Sequence, residues 1–89
     1  MQNKVTQEQI NKIITESKVV TMKIDSKTTL VHLTTKEGFV IIETSSCVDP
    51  DNFDMEIGKQ LALKKITDKL WAFEGYYLQK QLYQNSNIK

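Results

Sequence analysis

The chain is predicted to be an α+β protein, with an N-terminal helix, a three-stranded antiparallel β-meander and a long C-terminal helix in one domain spanning residues 1–89. Three observations lead there. Apolar residues recur at helical spacing within residues 1–17. The period then drops to two, with β-branched residues dominating, across residues 18–46. Helical spacing returns after an Asp-Pro pair and lasts to about residue 84.

The first helix has a clear start. Thr6 and Gln9 have the spacing of a capping box, and Val5 and Ile10 that of a hydrophobic staple, so the helix should begin near Gln7. Ile10, Ile13 and Ile14 form one apolar stripe, with Asn11, Lys12 and Glu16 toward water. Three strands follow at about 18–25, 29–35 and 39–45, separated by Asp25-Ser26-Lys27 and Lys36-Glu37-Gly38. Val20, Met22 and Ile24 share one face of the first strand, and Val31 and Leu33 one face of the second, as expected for a sheet lying on a core. The third strand is apolar on both faces at Phe39, Val40, Ile41 and Ile42, so its outer face is either covered or meets a partner. Two registers are open there. A three-residue loop with Gly38 in the left-handed region sets Leu33 opposite Ile41, and a two-residue Glu37-Gly38 turn sets it opposite Ile42; the bulged loop is the expectation.

Asp49 before Pro50 has the pattern of an N-cap followed by a first-turn proline, with Asp51, Asp54 and Glu56 adding negative charge at the helix's positive end. Phe53, Ile57, Leu61, Ile66, Leu70, Phe73 and Tyr77 mark the expected core face. A helix unbroken to Gln84 would be about 50 Å long, far more than three strands cover, so its distal half must pack elsewhere. Gly58 and Gly75 each mark a close helix approach or, at Gly75, a bend between two helical segments; the bend is the expectation there. The polar tail from Asn85 onward is expected to fray.

Composition narrows the function classes. A chain of 89 residues buries only about 60–65% of its unfolded surface, so stability should be thin unless subunits associate, and a homo-oligomer is expected. No apolar run approaches the roughly 18 residues needed to span a bilayer, and the N-terminus lacks the pattern of a secretion signal. A cytoplasmic protein with no membrane role is the expectation, in keeping with a single cysteine. All twelve cations are Lys against eleven acids, a balance that disfavours nucleic-acid binding. Without Arg, an anionic ligand must be held by Lys, backbone amides and helix ends.

No Gly-rich phosphate loop, nucleophile elbow or paired metal-ligand motif occurs, so neither catalytic residues, metal nor cofactor are expected, and a binding module is the default. His32 has no second ligand nearby in sequence and could pair across the sheet with Glu43 in one register; a packing or surface role is the plainer reading. Cys47 is best read as space-filling near the strand-to-helix junction, and the acids around Pro50 as helix caps. The set Lys69, Trp71, Glu74, Tyr76 and Tyr77 is the most informative. Trp and Tyr offer flat stacking surfaces with a polar tip, and Lys neutralises phosphate, which suits a nucleotide-like ligand. A helix-helix interface would use the same residues as anchors, and the two readings can coexist in a pocket between subunits.

The stretches Cys47-Val48-Asp49-Pro50, Asn52-Phe53-Asp54 and Glu56-Ile57-Gly58, then Lys69, Trp71 and Glu74-Gly75-Tyr76, follow a Thr-rich strand and the Gly38-Phe39 hairpin. In these the chain resembles a small family of tailed-phage proteins named for gene product 49 and gene 66 of two phages. The resemblance covers about the last two-thirds of the chain and leaves out the first helix. Lys59 matches the basic residue usual after Gly58, and Ala72-Phe73 the apolar pair after Trp71. The resemblance implies a phage accessory protein in the cytoplasm of an infected bacterium, acting in counter-defence. On that basis an oligomer is expected to sequester a small nucleotide-type immune signal in an inter-subunit pocket. Trp71 and Tyr76 would stack, Lys59 and Lys69 would meet phosphate, Asn52 and Glu56 would make polar contacts, and Phe53 and Glu74 would be further ligand-binding residues. The rival is a protein-interaction module that inhibits a host protein.

Overall fold

The computed structural model describes residues 3–86, which form an elongated body of 61 × 22 × 18 Å. Its elements are α1 (Gln7–Glu16), β1 (Lys18–Lys23), β2 (Thr28–Thr34), β3 (Val40–Ser46), a 3-10 turn (Pro50–Asn52) and α2 (Met55–Ser86). The capping box at α1 is present in both halves. The Gln9 backbone N–H donates to Thr6 Oγ1 at 3.2 Å, and the Thr6 N–H donates to Gln9 Oε1 at 2.8 Å. Ile10 is fully buried, with Val5, Ile13 and Ile14 packed around the same core.

The sheet is an antiparallel meander of order β1-β2-β3. Leu33 stands opposite Ile41, the register of the three-residue loop, and Gly38 takes φ +94°, a conformation L side chains rarely adopt. The loop closes through Thr35 N–H to Phe39 O and Gly38 N–H to Thr35 O, both 2.9 Å. His32 therefore faces Ile42, and Glu43 faces Val31, so the two titratable residues do not pair across the strands.

β1 corrects one expectation. Val19 pairs with Leu33 and Thr21 with Val31, so these two share the face that meets the core, whereas Val20, Met22 and Ile24 are 37–50% exposed on the other side. The reason is local. Alternation marks Val20, Met22 and Ile24 as the apolar face, but register, set by the turn in which the Lys27 N–H donates to Asp25 Oδ1 at 2.8 Å, places Val19 and Thr21 on the core side. That bond, with the Thr28 hydroxyl, holds the Asp25 carboxyl below its ordinary value.

The start of α2 is corrected too. Asp49 caps only the 3-10 turn, accepting from Asp51 N–H at 2.9 Å, and Phe53 is extended. Asp54 is the cap of the long helix, its Oδ1 accepting from the Glu56 and Ile57 N–H groups at 3.0 and 3.1 Å. Two Asx caps in succession replace the single Asp-Pro start. From Met55 the helix then runs 32 residues, about 48 Å, without interruption at Gly75, so no break divides it there. Asn85 and Ser86 lie within that helix, not in a frayed tail; residues 87–89 lie outside the described residues.

α2 lies on the sheet through Gly58, Ala62, Ile66 and Leu70, one residue per turn. Ile66 and Leu70 were expected on that line. Ile57 and Leu61 are instead 59% and 49% exposed, because two small residues hold the inner line and bring the backbone close to β2. Gly58 is the tightest point: a Cβ there would stand 2.2 Å from Thr29 Oγ1. Strands of six or seven residues cover only about 20–23 Å of the helix axis. Beyond the hairpin, Phe73 and Tyr77 follow the inner line but remain 45% and 57% exposed, since no sheet lies beneath them.

Candidate functional site

The predicted binding residues fall into two groups along α2. Asn52, Phe53, Glu56 and Lys59 sit at its N-terminal end, and Trp71, Glu74 and Tyr76 in its distal half; Glu56 and Tyr76 are 20 residues apart, about 30 Å along the axis. One chain therefore cannot gather them around a single small ligand. Phe53 is half-buried, with Lys23 Nζ 4.6 Å from its ring centroid, so its face is already occupied by a cation. Glu56 accepts from Gln60 Nε2 at 3.0 Å, within its own helix. The cleft lined by Asn52, Phe53, Thr29 and Gly58 holds about 70 Å³, room for a water or two. Thr29 Oγ1 is buried there with no hydrogen-bond partner among the described residues.

Lys69 is committed elsewhere. It forms an ion pair with Glu43 on β3, and this hydrogen bond, together with its charge, holds the Glu43 carboxyl below its ordinary value. One turn earlier, Lys65 Nζ donates to the Thr44 carbonyl at 2.7 Å. Together they fasten α2 over the edge strand β3, which a bare row of carbonyls would otherwise leave open. Trp71 is half-buried against the core, so its indole does not stand free for stacking on both faces.

Glu74 and Tyr76 do come together with a surface. They line an open hollow of about 560 Å³ between the β2–β3 hairpin, the end of α1 and α2, along with Glu37, Phe39, Phe73 and Tyr77. Ile13, Thr35 and Leu70 form the rest of its wall. Phe39 and Phe73 meet edge to face, with centroids 5.6 Å apart and planes at 86°, and so join the hairpin to the helix. The volume is that of a small-molecule site. Phe39, Phe73 and Glu37 were not among the expected site residues. The Gly38-Phe39 hairpin was visible in the sequence, but its pairing with a residue 34 positions later is a tertiary fact that no spacing rule signals.

No helix among the described residues is long and apolar enough to cross a membrane. Among the same residues no group of three His, Cys, Asp or Glu is placed to hold a metal ion.

A family model described as "Phage protein (N4 Gp49/phage Sf6 gene 66) family" matches residues 5–82. The chain belongs to the N4 Gp49/Sf6 gene 66 family. The match begins at Val5, so the Gp49/gene 66 unit includes α1 as well as the sheet and α2, and extends the resemblance beyond the last two-thirds of the chain. The packing of α1 accounts for this: Ile10 is part of the same core as the sheet and α2. Neither the curated proteins nor the solved structures compared with the chain gave a match.

Proposed function

We propose that this Gp49/gene 66 protein is a phage accessory protein of the host cytoplasm that works by binding, not catalysis, and sequesters a small nucleotide-derived immune signal between two copies of the chain. The observation behind this reading is the separation of the two residue groups on one rigid helix. An antiparallel second copy of α2 would bring Asn52, Glu56 and Lys59 of one chain to the level of Trp71, Glu74 and Tyr76 of the other along the helix axis.

The outward face of α2 suits such a pairing. Ile57 and Leu61 are exposed at one end, and the small residues Ala72 and Gly75 lie on the same side at the other. With the two-fold axis level with Ile66, Ile57 falls opposite Gly75 and Lys64 opposite Asp68, so bulk meets a gap and charge meets its opposite. With Lys69 engaged by Glu43, Lys59 is the cation proposed for phosphate.

Calorimetric titration with cyclic dinucleotides and with cyclic and linear ADP-ribose derivatives tests the reading. It expects a Kd below about 10 μM, roughly −7 kcal/mol, and is refuted if none of these binds. Mixing chains tests the sharing. Lys59→Ala and Tyr76→Ala are each expected to lose binding alone, and a 1:1 mixture to recover about a quarter of the wild-type sites, since half the dimers are mixed and each holds one intact site. Recovery of the ligand unchanged after denaturation excludes hydrolysis.

A second reading, an interaction module that inhibits a host protein, is favoured by the uncovered face of the sheet. Val20, Met22, Ile24, Val40 and Ile42 stand 37–50% exposed there in one apolar patch. Pull-down from host lysate, with the patch variant Ile42→Lys as control, tests that reading.

A further inference from the structure

The 560 Å³ hollow at the hairpin has a chemistry that the nucleotide reading does not use. Its polar lining is acidic: Glu37 projects from the hairpin tip and Glu74 from α2, and no Lys lines it. Neither carboxylate has an ion-pair partner among the described residues, whereas the neighbouring Lys36 is bound to Glu16 at 3.4 Å. The remaining walls are the rings of Phe39, Phe73, Tyr76 and Tyr77, the last two 71% and 57% exposed. Two carboxylates in an aromatic hollow repel phosphate and attract a cation, and ring faces hold a flat cation more closely than a strongly hydrated ammonium.

We propose that this hollow seats the guanidinium of an arginine side chain presented by another protein. Its plane stacks on the tyrosine rings, its N–H groups donate to the Glu74 carboxylate, and Glu37 adds charge from the opposite wall. The occupant is not a second copy of this chain, which has no Arg. The site shares Glu74 and Tyr76 with the nucleotide reading but is built within one chain with Glu37, Phe39 and Phe73, so peptide and nucleotide titrations succeed or fail separately.

The test is calorimetric titration of the full chain at low salt with a capped Gly-Arg-Gly tripeptide. Its control is the same tripeptide carrying neutral citrulline. Saturable binding of the arginine peptide is expected, at least about tenfold tighter than the control, because the carboxylates read its charge. Glu74→Gln is expected to weaken the arginine peptide about tenfold while Glu8→Gln, on the exposed first turn of α1, leaves it unchanged. Far-ultraviolet circular dichroism checks that both variants keep their helix content. Equal binding of citrulline and arginine peptides, no binding of either, or no effect of Glu74→Gln would overturn the assignment.

Discussion

Gly58 and Gly75 lie in the same helix, and the structure assigns opposite consequences to the same substitution. At Gly75 a Cβ meets nothing of its own chain within 4 Å, so in the single chain Gly75→Ala adds only helix propensity and is expected to stabilise by about 0.5–1 kcal/mol. At Gly58 the same gain is available, but the new Cβ would lie 2.2 Å from Thr29 Oγ1 and 2.8 Å from Thr29 Cβ. Thr29 is fully buried in the central strand, and turning its χ1 leaves its Cβ in place 2.8 Å away. The helix must therefore lift from the sheet. Overpacking of this kind costs about 1–3 kcal/mol, which outweighs the propensity gain and leaves Gly58→Ala destabilised by up to about 2 kcal/mol. In a domain of this size that lowers Tm by up to about 15 °C, while Gly75→Ala raises it by several degrees. Urea unfolding at one fixed protein concentration, followed by circular dichroism at 222 nm, measures both. Adding Thr29→Ala to Gly58→Ala removes the 2.2 Å contact and should restore part of the loss. If Gly58→Ala proves as stable as Gly75→Ala, the close approach of α2 to β2 is wrong, and the core described above with it.

Other consequences follow from the same coordinates. Asp54→Ala should cost about 1 kcal/mol, seen as a lower urea midpoint, because it leaves the Glu56 and Ile57 N–H groups uncapped, whereas Asp49→Ala, which caps only the 3-10 turn, should cost less. Ile66→Ala, at a fully buried position on the inner line, should cost about 2–5 kcal/mol by the same measurement. The Glu43 carboxyl is held low by Lys69, so the pair's stabilisation is present above the ordinary carboxylate value of 4.5 and is lost as pH falls through the lower folded value. Lys69→Met should remove that dependence, flattening the stability curve below pH 4.5 by no more than about 1 kcal/mol because Lys69 is partly exposed.

Much of the fold is legible in the sequence. Thr6 and Gln9 announced α1, and the Lys36-Glu37-Gly38 loop set the β2–β3 register because only a left-handed Gly38 closes it. The misreadings share a physical cause. Alternation marks the apolar face of β1 at Val20, Met22 and Ile24, but not which side of the sheet α2 covers, and α2 covers the side of Val19 and Thr21. Large apolar residues drew the helix's inner line through Ile57 and Leu61, although Gly58 and Ala62 hold it; small residues permit close approach and leave little trace in a hydrophobic pattern. Lys69 looked like a free cation because its partner, Glu43, is 26 positions away across the sheet. Of the aromatic and charged set named from the sequence, the hollow gathers Glu74, Tyr76 and Tyr77, and adds Phe39, Phe73 and Glu37 through the tertiary contact of hairpin and helix.

That α2 completes its site with a second copy is tested most directly by sedimentation equilibrium of the ligand-free protein over a range of micromolar concentrations. The account predicts a mass of at least two 10.3 kDa chains, falling toward one when the outward face is broken by Leu61→Lys with Gly75→Lys. A 10.3 kDa species throughout, extending to the highest concentration reached, would contradict it.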